Sequence, residues 1–162
     1  MRVGIGYDVH RFGGQGPLRL GGVVIPHPKG LRGHSDADVL LHAVADALFG
    51  AIGAPDIGEQ FPSSDMRFRG MASRVFVTTA SAQARRKGWV VENLDAVVIA
   101  DAPTLAGHKV KMSRAIGRLL GIEAARVSVK AKTTAAFSPG PGGIAAHVVV
   151  LVKPAVRRRK KG

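Results

Sequence analysis

Gly33-His34-Ser35-Asp36-Ala37-Asp38-Val39-Leu40-Leu41-His42-Ala43-Val44-Ala45-Asp46-Ala47-Leu48-Phe49-Gly50 is the stretch on which the reading of this 162-residue chain turns. Val39, Leu40, Ala43, Val44, Ala47 and Leu48 recur at i, i+3, i+4 spacing, which predicts a helix with one face in a core. Ser35 or Asp36 can cap its first turn, and Gly50 stands where it should stop. His42 lies on this helix with Asp38 and Asp46 four residues to either side, so either carboxylate can accept its second ring proton.

Upstream, Arg2 to His10 reads as a strand in which Val3, Ile5 and Tyr7 alternate with Gly4, Gly6 and Asp8. Leu18-Arg19-Leu20 and Val23-Val24-Ile25 flank Gly21-Gly22, the signature of a hairpin. Downstream, a helix is predicted from Ser73 to Lys87, ending at Gly88, and another from Lys109 to Leu120, followed by Gly121. The second turns Ile116, Leu119 and Leu120 inward. Leu94 to Ala100, Val127 to Lys132 and Ile144 to Lys153 read as strands, the last two separated by a Pro/Gly-rich loop, Ser138 to Gly143. Strands interleaved with helices predict an α/β (α+β) fold, a mixed or partly parallel sheet covered by helices. No repeat or linker divides the chain. One domain, residues 1–156, is expected, with a basic tail at 157–162.

Composition narrows the function. Apolar residues make up 46% and charged residues 22%, enough to bury a core, so disorder and low-complexity repeats are poor readings. Disulfides, cysteine-based zinc fingers and thiol catalysis are excluded because there is no cysteine. The longest apolar run, Ile144 to Val152, is too short to span a bilayer, and Met1 to His10 lacks the apolar segment of a signal peptide, so a soluble, cytoplasmic protein is expected. The formal charge is +13, and Arg157-Arg158-Arg159-Lys160-Lys161 contributes five of those charges. Such a surplus attracts a polyanion or a phosphorylated small molecule, or simply aids solubility. Eight aromatics, none interleaved with the basic clusters, argue against a base-stacking platform.

Two phosphate motifs fail. Gly4-Ile5-Gly6 lacks the third glycine of a dinucleotide fingerprint, because Val9 stands there. Gly53 to Gly58 has P-loop glycine spacing, but Glu59 replaces the lysine and would repel phosphate. A third arrangement carries chemistry. Side chains on a strand repeat every second residue, so Asp8 and His10 project from one face as two ligands for one metal. His42 supplies a third if its helix packs over the strand end. One carboxylate and two imidazoles suit zinc and leave a tetrahedral position open, which points to chemistry rather than a closed structural site. The same residues also fit a surface Asp8 beside two hydrogen-bonded, partly buried histidines. No function is assigned to His27 (surface), His108 (helix start) or His147 (strand).

Gly6-Tyr7-Asp8-Val9-His10, the run Gly33 to Ala43, Asp46-Ala47-Leu48, Asp56-Ile57-Gly58, Phe61-Pro62, Ser63-Ser64-Asp65, Arg69-Gly70, Ala102-Pro103 and Val129 to Thr134 together resemble the 2-C-methyl-D-erythritol 2,4-cyclodiphosphate synthase family, in order and spacing. The resemblance implies a homotrimer of α/β subunits with sheets facing the threefold axis and active sites between neighbours. It implies a lyase that turns 4-diphosphocytidyl-2-C-methyl-D-erythritol 2-phosphate into the cyclic diphosphate and CMP, in non-mevalonate isoprenoid synthesis. By the same resemblance Asp8, His10 and His42 hold Zn²⁺, and Asp8 and His10 also contact substrate, as do His34 and Ser35. His34 and Thr133 are the catalytic pair, stabilising charge on the phosphates with help from Ser35. Asp56, Ile57, Gly58, Phe61, Ser63, Ser64 and Asp65 would hold the methylerythritol hydroxyls. Ala100, Ala102, Pro103, Thr104, Leu105, Ala106, Lys132, Thr133 and Thr134 would hold cytidine and the diphosphate.

The chain departs from that pattern after Thr134. The family places there a glutamate for a second ion, Mg²⁺ or Mn²⁺, and then a glycine-rich segment with an arginine that grips the diphosphate. Here Ala135-Ala136-Phe137-Ser138-Pro139-Gly140-Pro141-Gly142-Gly143 is two residues shorter and has neither, and Thr104 stands where a lysine is common. Two alternatives follow: a weak zinc-binding paralogue for another phosphorylated ligand, and a basic nucleic-acid-binding protein.

Overall fold

The computed structural model describes residues 1–135 and 142–155. The tail at 157–162 and most of the Ser138 to Gly143 loop lie outside the described residues. Seven strands run β1 (Arg2–Gly14), β2 (Leu18–Leu20), β3 (Val23–Ile25), β4 (Gly30–Leu31), β5 (Trp89–Ile99), β6 (Val127–Lys132) and β7 (Gly143–Pro154). The described residues also form four α-helices, α1 (Val39–Ala51), α2 (Ile57–Gln60), α3 (Arg74–Arg86) and α4 (Lys109–Leu120). The main sheet has the order β4-β1-β7-β5-β6 and is mixed: β5 and β6 are parallel, the other pairs antiparallel. β2 and β3 form the expected hairpin, Leu18 opposite Ile25.

The sheet is covered on one face. In β7 Ile144, Ala146, Val148, Val150 and Val152 are fully buried, and in β5 Val91, Leu94, Ala96 and Val98 turn the same way. A bulge at Glu92 accounts for the three-residue step from Val91 to Leu94. On β1 the alternation is the reverse of what apolarity alone leads one to expect. Gly4 and Gly6 are buried, whereas Val3, Ile5, Tyr7 and Val9 are 53–70% exposed. The reason is steric. A Cβ on Gly4 would lie 1.9 Å from the Ala47 carbonyl oxygen, and one on Gly6 2.0 Å from that of Ala43. Two glycines against Ala43, Ala47 and Ala51 let the α1 backbone rest directly on the strand. Asp8 and His10 continue this glycine face, so they point toward the helix end that carries His42.

Helix α1 begins and ends later than expected. Asp38, not Ser35 or Asp36, is its cap, accepting from Leu41 N–H at 3.0 Å. The same carboxylate accepts from Gly21 and Gly22 N–H at 2.8 and 2.7 Å, pinning the hairpin turn to the helix start. Burial raises its pKa above the usual carboxylate value, against the pull of these three bonds. Gly50 does not stop the helix; it sits inside the last turn, and the left-handed residue that reverses the chain is Gly53. The later elements lie close to expectation: α4 spans Lys109–Leu120 with Gly121 as a left-handed cap, while β5 starts earlier, at Trp89. No helix among the described residues is long and apolar enough to cross a membrane.

Candidate metal centre

The C-terminal half of β1 and the first turns of α1 bring Asp8, His10 and His42 together, with one donor atom from each within 4.8 Å of the others. Asp8 Oδ2 is 3.4 Å from His10 Nδ1 and 2.9 Å from His42 Nδ1. A tetrahedral ion about 2.0–2.1 Å from its ligands separates them by roughly 3.3 Å, so the donor set fits a zinc-sized cation. All three side chains are half-buried; His10 and His42 line the cleft beside them, whereas Asp8 does not. Burial pushes the Asp8 pKa up, but hydrogen bonds and charge from His10 and His42 outweigh it and hold the carboxyl well below its ordinary range. Burial pulls His10 down; the hydrogen bond to Asp8 and its charge prevail and raise it.

The second nitrogen of His42 is held by neither Asp38 nor Asp46. Asp38 is taken by the helix cap, and Asp46 accepts from Ile57 N–H at 3.3 Å, with burial raising its pKa. His42 Nε2 instead lies 2.9 Å from Ser35 Oγ and 2.8 Å from Ser73 Oγ, and Ser73 Oγ donates to Asp36. The roles of Ser73 and Asp36 escape a sequence reading because both look like helix caps, Ser73 at the start of α3 and Asp36 ahead of α1.

Around the centre opens a cleft of about 600 Å³. His10, His34, Ser35, His42, Ile57, Gly58, Phe61, Ser63 and Asp65 line it, as expected. Asp56 and Ser64 do not: Asp56 caps α2 by accepting from Glu59 N–H at 2.9 Å, and Ser64 is exposed beside the lining. Asp65 also forms an ion pair with Arg67 at 2.6 Å. Phe61, Phe68 and Phe76 form an apolar wall, with the Phe61 and Phe76 rings 4.7 Å apart and His42 5.5 Å from Phe76. Arg11, Arg32 and Arg69 also line the cleft, and among the described residues none of them forms an ion pair. Of the three only Arg69 falls in a recognisable block, Arg69-Gly70; Arg11 and Arg32 stand in no motif.

The remaining expected residues gather elsewhere. Ala100 donates its N–H to Lys132 C=O at 2.9 Å, and Asp101 accepts from both Thr134 N–H and Oγ1 at 2.8 and 2.6 Å. The Thr133 hydroxyl lies 3.4 Å from Ala135 N–H. Ala102, joined to Pro103 by a cis bond, Thr104, Leu105 and Ala106 lead from β5 to α4. Within one chain this group lines no part of the metal cleft. Both nonetheless lie toward the same end of the strands, since Val9 and Ile99 pair with Ala145 from opposite sides.

Fold and site define a class: an α/β protein whose Asp8, His10 and His42 could together hold a cation beside an arginine-lined cleft. Within that class the chain belongs to the YgbB family, whose model matches residues 1–153. A relative from Syntrophomonas wolfei, a 2-C-methyl-D-erythritol 2,4-cyclodiphosphate synthase, is 50% identical over 157 residues, covering 96% of this chain and 100% of its own. Among solved structures, a CDP-bound 2C-methyl-D-erythritol-2,4-cyclodiphosphate synthase superposes with a TM-score of 0.87 at 36% identity, covering 94% of this chain and 100% of its own. The bifunctional IspDF of Campylobacter jejuni gives 0.90 at 38% identity over 94% of this chain and 42% of its own.

Proposed function

We propose that the chain converts 4-diphosphocytidyl-2-C-methyl-D-erythritol 2-phosphate into 2-C-methyl-D-erythritol 2,4-cyclodiphosphate and CMP, a step of isoprenoid biosynthesis. The observation that carries this reading is the convergence of Asp8, His10 and His42 in a basic, phenylalanine-walled cleft, in a chain half identical to named synthases. An oxygen of the substrate's 2-phosphate bonds to the β-phosphorus while the bond from that phosphorus to CMP breaks, and CMP leaves with the electron pair. The nucleophile belongs to the substrate. The protein therefore needs no serine or cysteine nucleophile; its work is to fold the substrate and offset charge.

Asp8, His10 and His42 would hold a divalent cation, zinc by their donor types. When bound, that ion supplies Lewis-acid charge stabilisation and a fixed point for the diphosphate. Arg11, Arg32 and Arg69 place cationic groups along the cleft, and His34 and Ser35 a ring N–H and a hydroxyl, to meet phosphate oxygens. Ile57, Gly58, Phe61, Ser63 and Asp65 wall the space for the methylerythritol, with Asp56 and Ser64 beside them. Ala100 to Ala106 and Lys132 to Thr134 hold cytidine and diphosphate from the neighbouring subunit of a homotrimer, where Thr133 joins His34. Two observations support that assembly: the second group lines no part of its own chain's cleft, and the open sheet face carries exposed Val3, Ile5, Tyr7, Val9 and Val149. Ala135 has no ligating atom in its side chain, so either substrate and water hold the Mg²⁺ or Mn²⁺ on the diphosphate, or Lys132 and the basic surplus offset the charge in its place.

The test is direct. Purified protein with zinc, magnesium and the cytidyl substrate should release many equivalents of CMP per chain and contain one zinc by elemental analysis. Release of a single equivalent, or none, sinks the assignment.

A further inference from the structure

We propose that Asp36 and Ser73 are positioning residues for His42, holding its ring proton on Nε2 so that Nδ1 is the nitrogen presented to the cation. The inference rests on reading Asp8, His10 and His42 as cation ligands and extends it to the groups behind them.

Ser73 stands at the start of α3, fully buried, yet its hydroxyl makes no bond to its own helix. A serine in that position ordinarily caps. Here its Oγ–H donates to Asp36 Oδ1, and its backbone N–H donates to the same oxygen at 3.0 Å. A hydroxyl has one proton. With that proton committed to Asp36, Ser73 Oγ offers only lone pairs to its third neighbour, His42 Nε2, at 2.8 Å. A bare nitrogen facing a bare oxygen at that distance would repel it, so Nε2 carries hydrogen.

Ser35 completes the arrangement. Its Oγ accepts from Ala37 N–H at 3.0 Å, lies 2.9 Å from His42 Nε2, and lies 3.3 Å from Ser73 Oγ, toward which its own proton can turn. The other ring nitrogen, Nδ1, is 2.9 Å from Asp8 Oδ2, where a cation can replace a proton. The chain of contacts is thus carboxylate, hydroxyl, imidazole, cation: the carboxylate–histidine–metal arrangement with a hydroxyl inserted. The loop is shaped for it. Ala37 adopts a left-handed conformation at φ +55°, and this reversal lets Asp36 face α3 while Asp38, two residues on, caps α1.

The experiment compares wild type with Ser73→Ala, Asp36→Ala and Asp36→Asn, the last keeping an acceptor oxygen for Ser73. Zinc affinity is measured by chelator competition, and the His42 ring by long-range ¹H–¹⁵N NMR of the zinc-loaded protein. Ser73→Ala and Asp36→Ala should weaken zinc about 10–100-fold, the usual penalty for losing such a partner, and expose Nε2–H to rapid exchange. Asp36→Asn should stay near wild type in both readouts, and thermal melting checks that each variant is folded; should Ser73→Ala fail to fold, Asp36→Ala reads the same contact. Unchanged affinity with a protected Nε2–H in the two alanine variants, or zinc on Nε2 in wild type, overturns the proposal. If wild type takes up no zinc, the cation reading itself fails. The tautomer is then read in metal-free protein, where a protected Nε2–H that Ser73→Ala loses upholds the proposal and an unprotected one in wild type refutes it.

Discussion

Gly6→Ala tests how the fold sets the site. A Cβ there would lie 2.0 Å from Ala43 O and 2.7 Å from Ala47 N, both backbone atoms that cannot rotate away. Restoring ordinary contact requires α1 to retreat by about 1.4 Å, more than a close-packed core absorbs without loss. Overpacking of this kind costs about 1–3 kcal/mol, which for a domain of this size lowers Tm by roughly 3–10 °C. His42 immediately precedes Ala43 and moves with the helix, opening its 2.9 Å separation from Asp8 to about 4 Å, beyond the ~0.2 Å tolerance of a metal site. Zinc affinity should therefore fall together with Tm. Gly50→Ala is the control: it also lies in α1, but its nearest neighbour would be Ile5 O at 3.8 Å, so it should gain about 0.5–1 kcal/mol from helix propensity. Circular dichroism melts and chelator competition on both variants decide the matter. A Gly6→Ala protein with wild-type Tm and zinc affinity would show that the helix does not rest on the strand as described.

Four further outcomes are expected. His42→Ala should lose bound zinc, and full occupancy by elemental analysis in that variant would remove it from the ligand set. Asp38→Ala leaves three backbone N–H groups without their buried acceptor and should cost about 3 kcal/mol or more in a denaturant melt; a loss under 1 kcal/mol would mean the hairpin anchor contributes little. In metal-free protein the lowered Asp8 pKa gives stability present above its ordinary 3.8 and lost as pH falls, while the raised His10 pKa gives stability present below 6.5 and lost as pH rises through its folded value. The Asp8–His10 contribution should thus be largest between about pH 4 and 6.5, whereas zinc affinity should climb with pH because the imidazoles must shed protons, and Tm and binding series across pH 4–8 would expose either sign as wrong. On the proposed homotrimer, Ile5→Asp on the open sheet face should yield a smaller species than wild type in sedimentation, and an unchanged mass would place the assembly surface elsewhere.

Much of this was legible in the sequence because each signal was local. The α4 stripe, the Gly21-Gly22 turn and the Asp8–His10 alternation all depend on neighbours within a few residues, and all three were found. What escaped depended on through-space competition. Ser35 and Asp36 are sound caps by propensity, but Asp38 wins because it can reach α1 and the hairpin turn at once. Asp38 and Asp46 are spaced for His42, yet each is claimed by a backbone N–H from a distant segment. The apolar residues of β1 look like core, but glycine is what permits a helix to lie against a strand, so the small face went inward. Ser73 is 31 residues from His42, and no periodicity links the two.

Adjacent residues of β1 serve opposite sides of the molecule. Tyr7 and Val9 look out from the open sheet face, while Asp8 and His10 look in, and successive residues are only about 3.3 Å apart along the strand. Each side chain keeps its own rotamers, but a twist of the pleated backbone that re-aims one Cα–Cβ bond also tilts the next. On the proposed assembly and cation site, a surface seated on Tyr7 would steady the backbone from which Asp8 reaches an ion, and a filled ion site would stiffen the ribbon on which Tyr7 is displayed. Assembly and chemistry share a single spine.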